Sequence, residues 1–166
     1  MQPARTHLTE IEDAYRQHGA ALLLFAASMT GERAEDAVHE VFMKLLDRGN
    51  LRHTVDAKAY LFACVRNAVL NDNKIRQRND ALEEDSAWFD PPNQDYAEEL
   101  NLRRALGALS EDQRQVTILH VWGELTFPQI ADLLSISPNT AASRYRYALA
   151  KLREAMSAKE NRCANR

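Results

Sequence analysis

Few residues in this chain have the types and spacing to do chemistry, and those that do are suited to binding rather than reacting. After Ser137-Pro138, Asn139, Thr140, Ser143, Arg144 and Arg146 offer an amide, two hydroxyls and two guanidinium groups within about two helical turns. Amides and hydroxyls hydrogen-bond base edges and guanidinium groups pair with phosphates, so this set suits the reading of nucleic acid. A second set, Arg66, Asn67, Lys74, Arg76 and Arg78, is polar and cationic. A third, Asp36, Glu40 and Asp47 with Met43 among them and His39 beside them, is acidic. Nothing comparable serves covalent chemistry. His7, His18, His39, His53 and His120 have no ligand spacing with Cys64 and Cys163, and His39-Glu40 lacks the second His of H-E-x-x-H. We expect no catalytic residue, no metal and no cofactor.

Each set needs an element to hold it. Ser at an N-cap followed by Pro at N1 predicts a long helix from Pro138. With Ala141 at the centre of the buried side, Tyr145, Ala148, Leu149, Leu152 and Met156 fall on one stripe. Asn139, Ser143, Arg146 and Tyr147 then point outward, with Arg144 and Arg153 on the flanks. Upstream, Thr126-Phe127-Pro128-Gln129 caps a short helix with Ile130, Ala131 and Leu133 inward, and Ser135-Ile136-Ser137 makes a turn. Short helix, tight turn and long helix form a helix-turn-helix, whose second helix meets base edges with its N-terminal residues. Asn139, Thr140 and Ser143 are therefore base-contact candidates, and Arg144 and Arg146 phosphate candidates. A short helix from Leu100 to Leu109, and one opened by the capping box Ser110–Gln113 and ending near Gly123, come before them.

The N-terminal half reads as three helices. The capping-box spacing of Thr9 and Glu12 predicts a start, Ile11, Tyr15, Leu22, Phe25 and Met29 supply apolar positions, and Gly31 is the stop. From Glu32 to Arg48 a second helix buries Ala37, Val38, Val41, Phe42, Leu45 and Leu46, leaving the acidic set on another face. From Lys58 to Arg78 a third turns Leu61, Cys64, Val65, Ala68, Val69 and Ile75 inward, and Arg66, Asn67 and Lys74 outward. Pattern alone leaves both polar faces open: the acidic one is a solvated surface or a contact, and the cations near a helix end complement its dipole or bind a ligand.

The formal net charge of the 166 residues is −3, which for the chain as a whole argues against nucleic acid. The average conceals a division. Residues 81–99 hold seven acids and no base, with Pro91-Pro92 and no helical periodicity, and read as an acidic linker between two basic regions. Such a segment is expected to hold free protein off DNA until its two domains are separated. The cysteines are not a disulfide framework, no apolar run approaches a membrane span, and no secretory signal is present, so a cytoplasmic protein without direct membrane insertion is expected.

Two separated segments together resemble the extracytoplasmic-function (ECF) group of bacterial RNA polymerase sigma factors. Glu35-Asp36-Ala37-Val38-His39-Glu40-Val41-Phe42 resembles the group's E-D-L-V-Q-E-V-F helix, and Tyr60-Leu61 through Arg66-Asn67 its W-L…R-N helix. Leu109-Ser110 to Arg114 resembles L-P-x-x-x-R, Leu125 to Ala131 resembles G-L-S-Y-x-E-I-A, and Asn139 to Arg144 the T-V-x-S-R helix. The resemblance implies an all-α chain: sigma region 2 over 5–80, the linker 81–99, and sigma region 4 with its helix-turn-helix over 100–158. It implies binding to core polymerase, at the β′ clamp helices through Asp36, His39, Glu40 and Met43, and at the β flap. It further implies capture of the unwound minus-ten strand around Asn67, with Arg66, Lys74, Arg76 and Arg78 nearby, and minus-thirty-five binding by Asn139, Thr140, Ser143, Arg144 and Arg146. Promoter DNA and an anti-sigma factor are the other expected partners.

His39 stands where the group has Gln, Asn71 where Asp is common, and Ala141-Ala142 where a Val and a variable, often basic residue are usual. Arg144 and Arg146 are then expected to supply most of the minus-thirty-five affinity. Tyr60 stands at the Trp position and is expected to pack in the core rather than stack on a base. The competing function is a free-standing dimeric helix-turn-helix regulator that binds a palindromic operator without polymerase.

Overall fold

The structure, a computed structural model, describes residues 3–48, 56–79 and 104–163. The acidic linker 81–99 and the side chains of Arg78 and Met156 lie outside the described residues. Every regular element among those described is helical, and the chain divides into two compact units, Met1–Trp88 and Phe89–Arg166.

Three helices, α1 (Pro3–Thr30), α2 (Ala34–Arg48) and α3 (Ala57–Asn79), pack against one another in the first unit. Helix α1 begins before the expected Thr9. Pro3 is tolerated at the first position, where a missing N–H costs nothing, and the good helix formers Ala4, Arg5 and Leu8 carry the helix through the capping-box sequence. It ends as expected: Gly31 has a φ of 63°, a left-handed conformation that suits glycine, and opens the 3-10 turn Gly31–Arg33. Asp56 starts α3, its Oδ1 accepting from Ala59 N–H at 3.0 Å.

The core of this unit is Leu22 and Phe25 from α1, Val38, Val41, Phe42 and Leu45 from α2, and Leu61, Phe62, Val65 and Val69 from α3. Phe25 and Phe62 are completely buried and meet edge to face at 5.6 Å. Three apolar residues assigned to the core by periodicity lie outside it. Tyr15 is 55% exposed, Leu46 40% and Ile75 58%. On α3 the buried side is rotated from Ile75 toward Phe62, because Phe25 waits there. Tyr15 covers Phe42 with its ring edge at 5.0 Å and leaves its other side in solvent. A two-pronged ion pair, Arg33 Nη1 to Asp72 Oδ2 at 2.9 Å and Nη2 to Oδ1 at 3.0 Å, ties the turn to α3.

The second unit has a helical turn at 104–107, then α4 (Glu111–Val121), α5 (Phe127–Leu134) and α6 (Pro138–Cys163). Both expected capping boxes form: the Ser110 and Thr126 hydroxyls accept from the Gln113 and Gln129 N–H groups, and both Gln side chains reach back. Ile130, Ala131 and Leu134 are buried under α6, whereas Leu133 is only half-buried. Ser135 ends α5 in the left-handed region at φ 57°, and the Ile136 N–H turns back to the Ala131 carbonyl at 3.0 Å. Ser137 then caps α6 by accepting from Thr140 N–H at 3.0 Å.

Candidate functional site

Asp36, His39, Glu40 and Met43 are all exposed along the solvent side of α2, since Ala37, Val38, Val41 and Leu45 hold its opposite side in the core. The face is more apolar than its sequence suggested. Met43 (48% exposed) and Leu46 adjoin Leu8 and Tyr15 of α1, and together with Ile11, Val38 and Phe42 they line a groove of about 1030 Å³ between the two helices. His39, Glu35, Glu12 and Arg16 supply its polar lining. Glu40 pairs with Lys44 one turn on. The result is a carboxylate row bordered by an apolar strip, which fits a protein partner better than free solvent. Sequence reading missed the strip because Tyr15 and Leu46 sit at the edge of the apolar stripe.

A second groove, about 310 Å³, runs between α2 and α3. Asn67 lines it with Glu40, Lys44, Arg48, Tyr60 and Cys64. Asn67 is exposed, and its side chain has no hydrogen-bond partner among the described residues. Lys74, seven residues on, returns to the same side of α3 and is exposed. Arg66 and Arg76 do not gather there. Arg76 is exposed about half a turn away from Asn67, by helical geometry. Arg66 is half-buried, with its Nε shielded and lacking a partner among the described residues. Tyr60, expected in the core, is 36% exposed at the groove's edge. A hydrogen bond to Cys64, that sulphur's charge and partial burial push its phenol above the ordinary 10.0, against an opposing pull from Arg48.

In the second unit, α6 packs one side of its first turns on α4 and α5 and leaves the other in solvent. Ala141 and Ala148 are completely buried, and their small side chains let α6 lie close on its neighbours. Tyr145 is held in an aromatic cluster, 4.7 Å from His120, which stacks on Phe127 at 4.6 Å. The His120 Nδ1 bonds the Leu125 carbonyl at 2.8 Å, so this histidine is a packing residue. Asn139 and Arg146 are exposed and have no polar partner among the described residues, and Tyr147 is 66% exposed beside them. The Thr140 and Ser143 hydroxyls are engaged locally, with Ser137 at 2.8 Å and with the Thr140 carbonyl at 3.0 Å. Arg144 differs from Arg146: its Nη2 lies 2.8 Å from Asp112 Oδ2 on α4.

Arg114 is an architectural residue of this unit. Its Nε donates to the Leu106 carbonyl at 2.9 Å and its Nη2 to Leu109 at 3.0 Å and Gly107 at 3.4 Å, which fastens the 104–107 turn to α4. Burial pushes the guanidinium below its usual value, partly offset by Glu111. Among the described residues no group of three or more His, Cys, Asp or Glu could hold a metal ion, and no helix is long and apolar enough to cross a membrane.

Comparison with known proteins matches both units. The chain fits the family descriptions "Sigma-70 region 2" over residues 14–79 and "Sigma-70, region 4" over residues 99–152. It is 29% identical over 151 residues to the ECF RNA polymerase sigma factor SigL of Mycobacterium tuberculosis, covering 84% of each chain. It is 28% identical over 162 residues to the RNA polymerase sigma factor YlaC of Bacillus subtilis, covering 87% of this chain and 92% of that one. The fold matches that of the sigma factor RpoE of Bartonella quintana, solved in complex with the anti-sigma factor NepR: TM-score 0.68, 22% identity, 95% of this chain and 98% of the other covered. CnrH, solved with the cytosolic domain of CnrY, matches with a TM-score of 0.60 at 22% identity, over 95% of this chain and 94% of that one. With region 2 and region 4 in the family's order and a helix-turn-helix in the second unit, the chain belongs to the sigma-70 family as an ECF RNA polymerase sigma factor.

Proposed function

We propose that this chain is the promoter-specificity subunit of RNA polymerase, which binds the core enzyme, directs it to promoters and promotes melting of the start region. The observation that carries this reading is the pair of sigma regions matched in order on one chain, the second presenting an exposed α6 N-terminus built to enter a major groove. Within that function we assign residues 5–80 to core polymerase and the minus-ten element, 81–99 to an acidic linker, and 100–158 to the minus-thirty-five element. Asp36, His39, Glu40 and Met43 meet the β′ clamp helices. Asn67 and Lys74 take the unwound strand, with Arg66, Arg76 and Arg78 adding positive charge elsewhere along α3. Asn139, Thr140, Ser143 and Arg146 face the minus-thirty-five duplex, with Arg144 on the flank, and region 4 also meets the β flap.

The protein works in the cytoplasm, without covalent chemistry of its own, and an anti-sigma factor is a fitting regulator, since the neighbours RpoE and CnrH were solved with NepR and CnrY. Run-off transcription with purified core polymerase on genomic fragments, with and without the chain, tests the reading. Transcripts that depend on the chain are expected. No dependent transcript and no core binding would overturn the proposal, and tight palindrome binding by a dimer without polymerase would favour a free-standing regulator.

A further inference from the structure

Arg144 and Arg146 carry the same expected role in sequence, two cations on one helix that would meet phosphate. The structure separates them. Arg146 lies about 20° around the helix from Asn139 and is exposed, whereas Arg144 lies about 140° from it, turned toward α4, and is half-buried. There its Nη2 meets Asp112 Oδ2 at 2.8 Å, with the Arg144 side chain 28% exposed and that of Asp112 62%. Asp112 stands in the first turn of α4, where the helix dipole favours a carboxylate, and Arg114 fastens the same end of α4 to the preceding turn.

We infer that Arg144 is a positioning residue: its ion pair with Asp112 sets the rotation of α6 about its own axis, and it does not bind phosphate. The buried Ala141 and Ala148 fix how closely α6 approaches its neighbours, but alanines grip rotation poorly. Tyr145 holds one side against His120 and Phe127, and the Arg144–Asp112 pair holds the other. With side chains reaching about 5–6 Å from the helix axis, a rotation of about 10° moves the tips of Asn139, Ser143 and Arg146 by about 1 Å. That displacement spoils a hydrogen bond to a base edge, whose useful distance range is only about 0.5 Å. The inference rests on the proposed minus-thirty-five role of α6 and revises the expectation that Arg144 supplies phosphate affinity.

The test uses the full chain assembled with core polymerase and a promoter duplex recovered from run-off transcription, with a scrambled minus-thirty-five duplex as control. Binding is measured across salt concentrations, at a temperature where circular dichroism shows every variant folded. Asp112→Asn and Arg144→Gln are each expected to weaken binding about two- to fivefold, the range of a partly exposed ion pair, with the salt slope unchanged. The double variant should lose no more than either single one, because the two residues act as one unit. Arg146→Ala, by contrast, should lower the slope by about 0.9. A pair that served fold stability alone would leave the affinity of the folded variants at the wild-type value, and that result overturns the inference. So does tighter binding by Asp112→Asn, which would mean that the carboxylate competes with phosphate for Arg144, and so does a slope reduced by Arg144→Gln. Failure of the wild-type complex to prefer the promoter over the scrambled duplex would instead count against the functional reading, so the two failures are distinguishable.

Discussion

Replacing Arg114 by Ala removes the fastening between the 104–107 turn and α4. Two of its hydrogen bonds are short and partly buried, at 2.9 Å to Leu106 and 3.0 Å to Leu109, while the third, 3.4 Å to Gly107, is exposed and adds little. At about 1.5 kcal/mol for each of the two charge-assisted bonds, less part of the guanidinium's own desolvation cost, the loss is about 2–3 kcal/mol. A helical unit of this size has only a few kcal/mol of stability, so the substitution should be severe. Leu106 and Leu109, both nearly inaccessible to solvent, would lose their hold on the core as the turn loosens. Trp122, the C-cap residue of α4, reports on the unit by fluorescence in a Trp88→Phe background. With a urea m-value near 1 kcal/mol/M, the unfolding midpoint should fall by about 2 M. Arg114→Lys should recover less than half of this, because an ammonium lacks the fork that reaches diverging carbonyls. A midpoint shift under about 0.5 M for Arg114→Ala would refute this account of the residue.

Three other outcomes are expected. Phe62→Ala should cost about 3–5 kcal/mol and lower the melting temperature followed by circular dichroism by more than about 10 °C, whereas Ile75→Ala should cost under about 0.5 kcal/mol. Met43→Glu should weaken binding to purified core polymerase about tenfold, measured by fluorescence anisotropy, and leave the melting temperature unchanged, because Met43 is half in solvent. Tyr60 should titrate above 10.0 when followed by tyrosinate absorbance, and Cys64→Ala should bring it back toward that value. Because its folded pKa is raised, the associated stability is present at neutral pH and is lost as pH climbs from 10.0 through the raised value, so the urea midpoint should fall more steeply there in the wild type than in Cys64→Ala.

Local signals were legible in the sequence and long-range pairings were not. The capping boxes at Ser110 and Thr126, the Ser137-Pro138 start and the Gly31 stop each depend on neighbours within four residues, and each appears where those residues place it. Thr9 shows the limit of the same logic: its spacing is correct, but good helix formers upstream override it. On α3, Leu61, Val65 and Val69 are buried as expected, but this helix is apolar on more than one side, and Phe25 selects Phe62 over Ile75. For the candidate sites, the exposed positions on α2 and α6 could be read from periodicity, since a polar face is what remains once the core stripe is removed. The ion pair that engages Arg144 could not, because its partner Asp112 is 32 positions away in the chain. The Arg33–Asp72 pair was hidden for the same reason.

The apolar strip beside the α2 carboxylates makes the proposed polymerase contact less sensitive to ionic strength than the proposed DNA contact. Contacts made by Leu8, Tyr15, Met43 and Leu46 gain from salts that are excluded from protein surfaces, whereas an exposed cation such as Arg146 loses its hold on phosphate as counterions accumulate. A sulfate wash should therefore strip promoter DNA from the assembled enzyme while leaving this chain seated on polymerase. Ionic strength becomes a handle that takes the two contacts apart in order, DNA first and enzyme second.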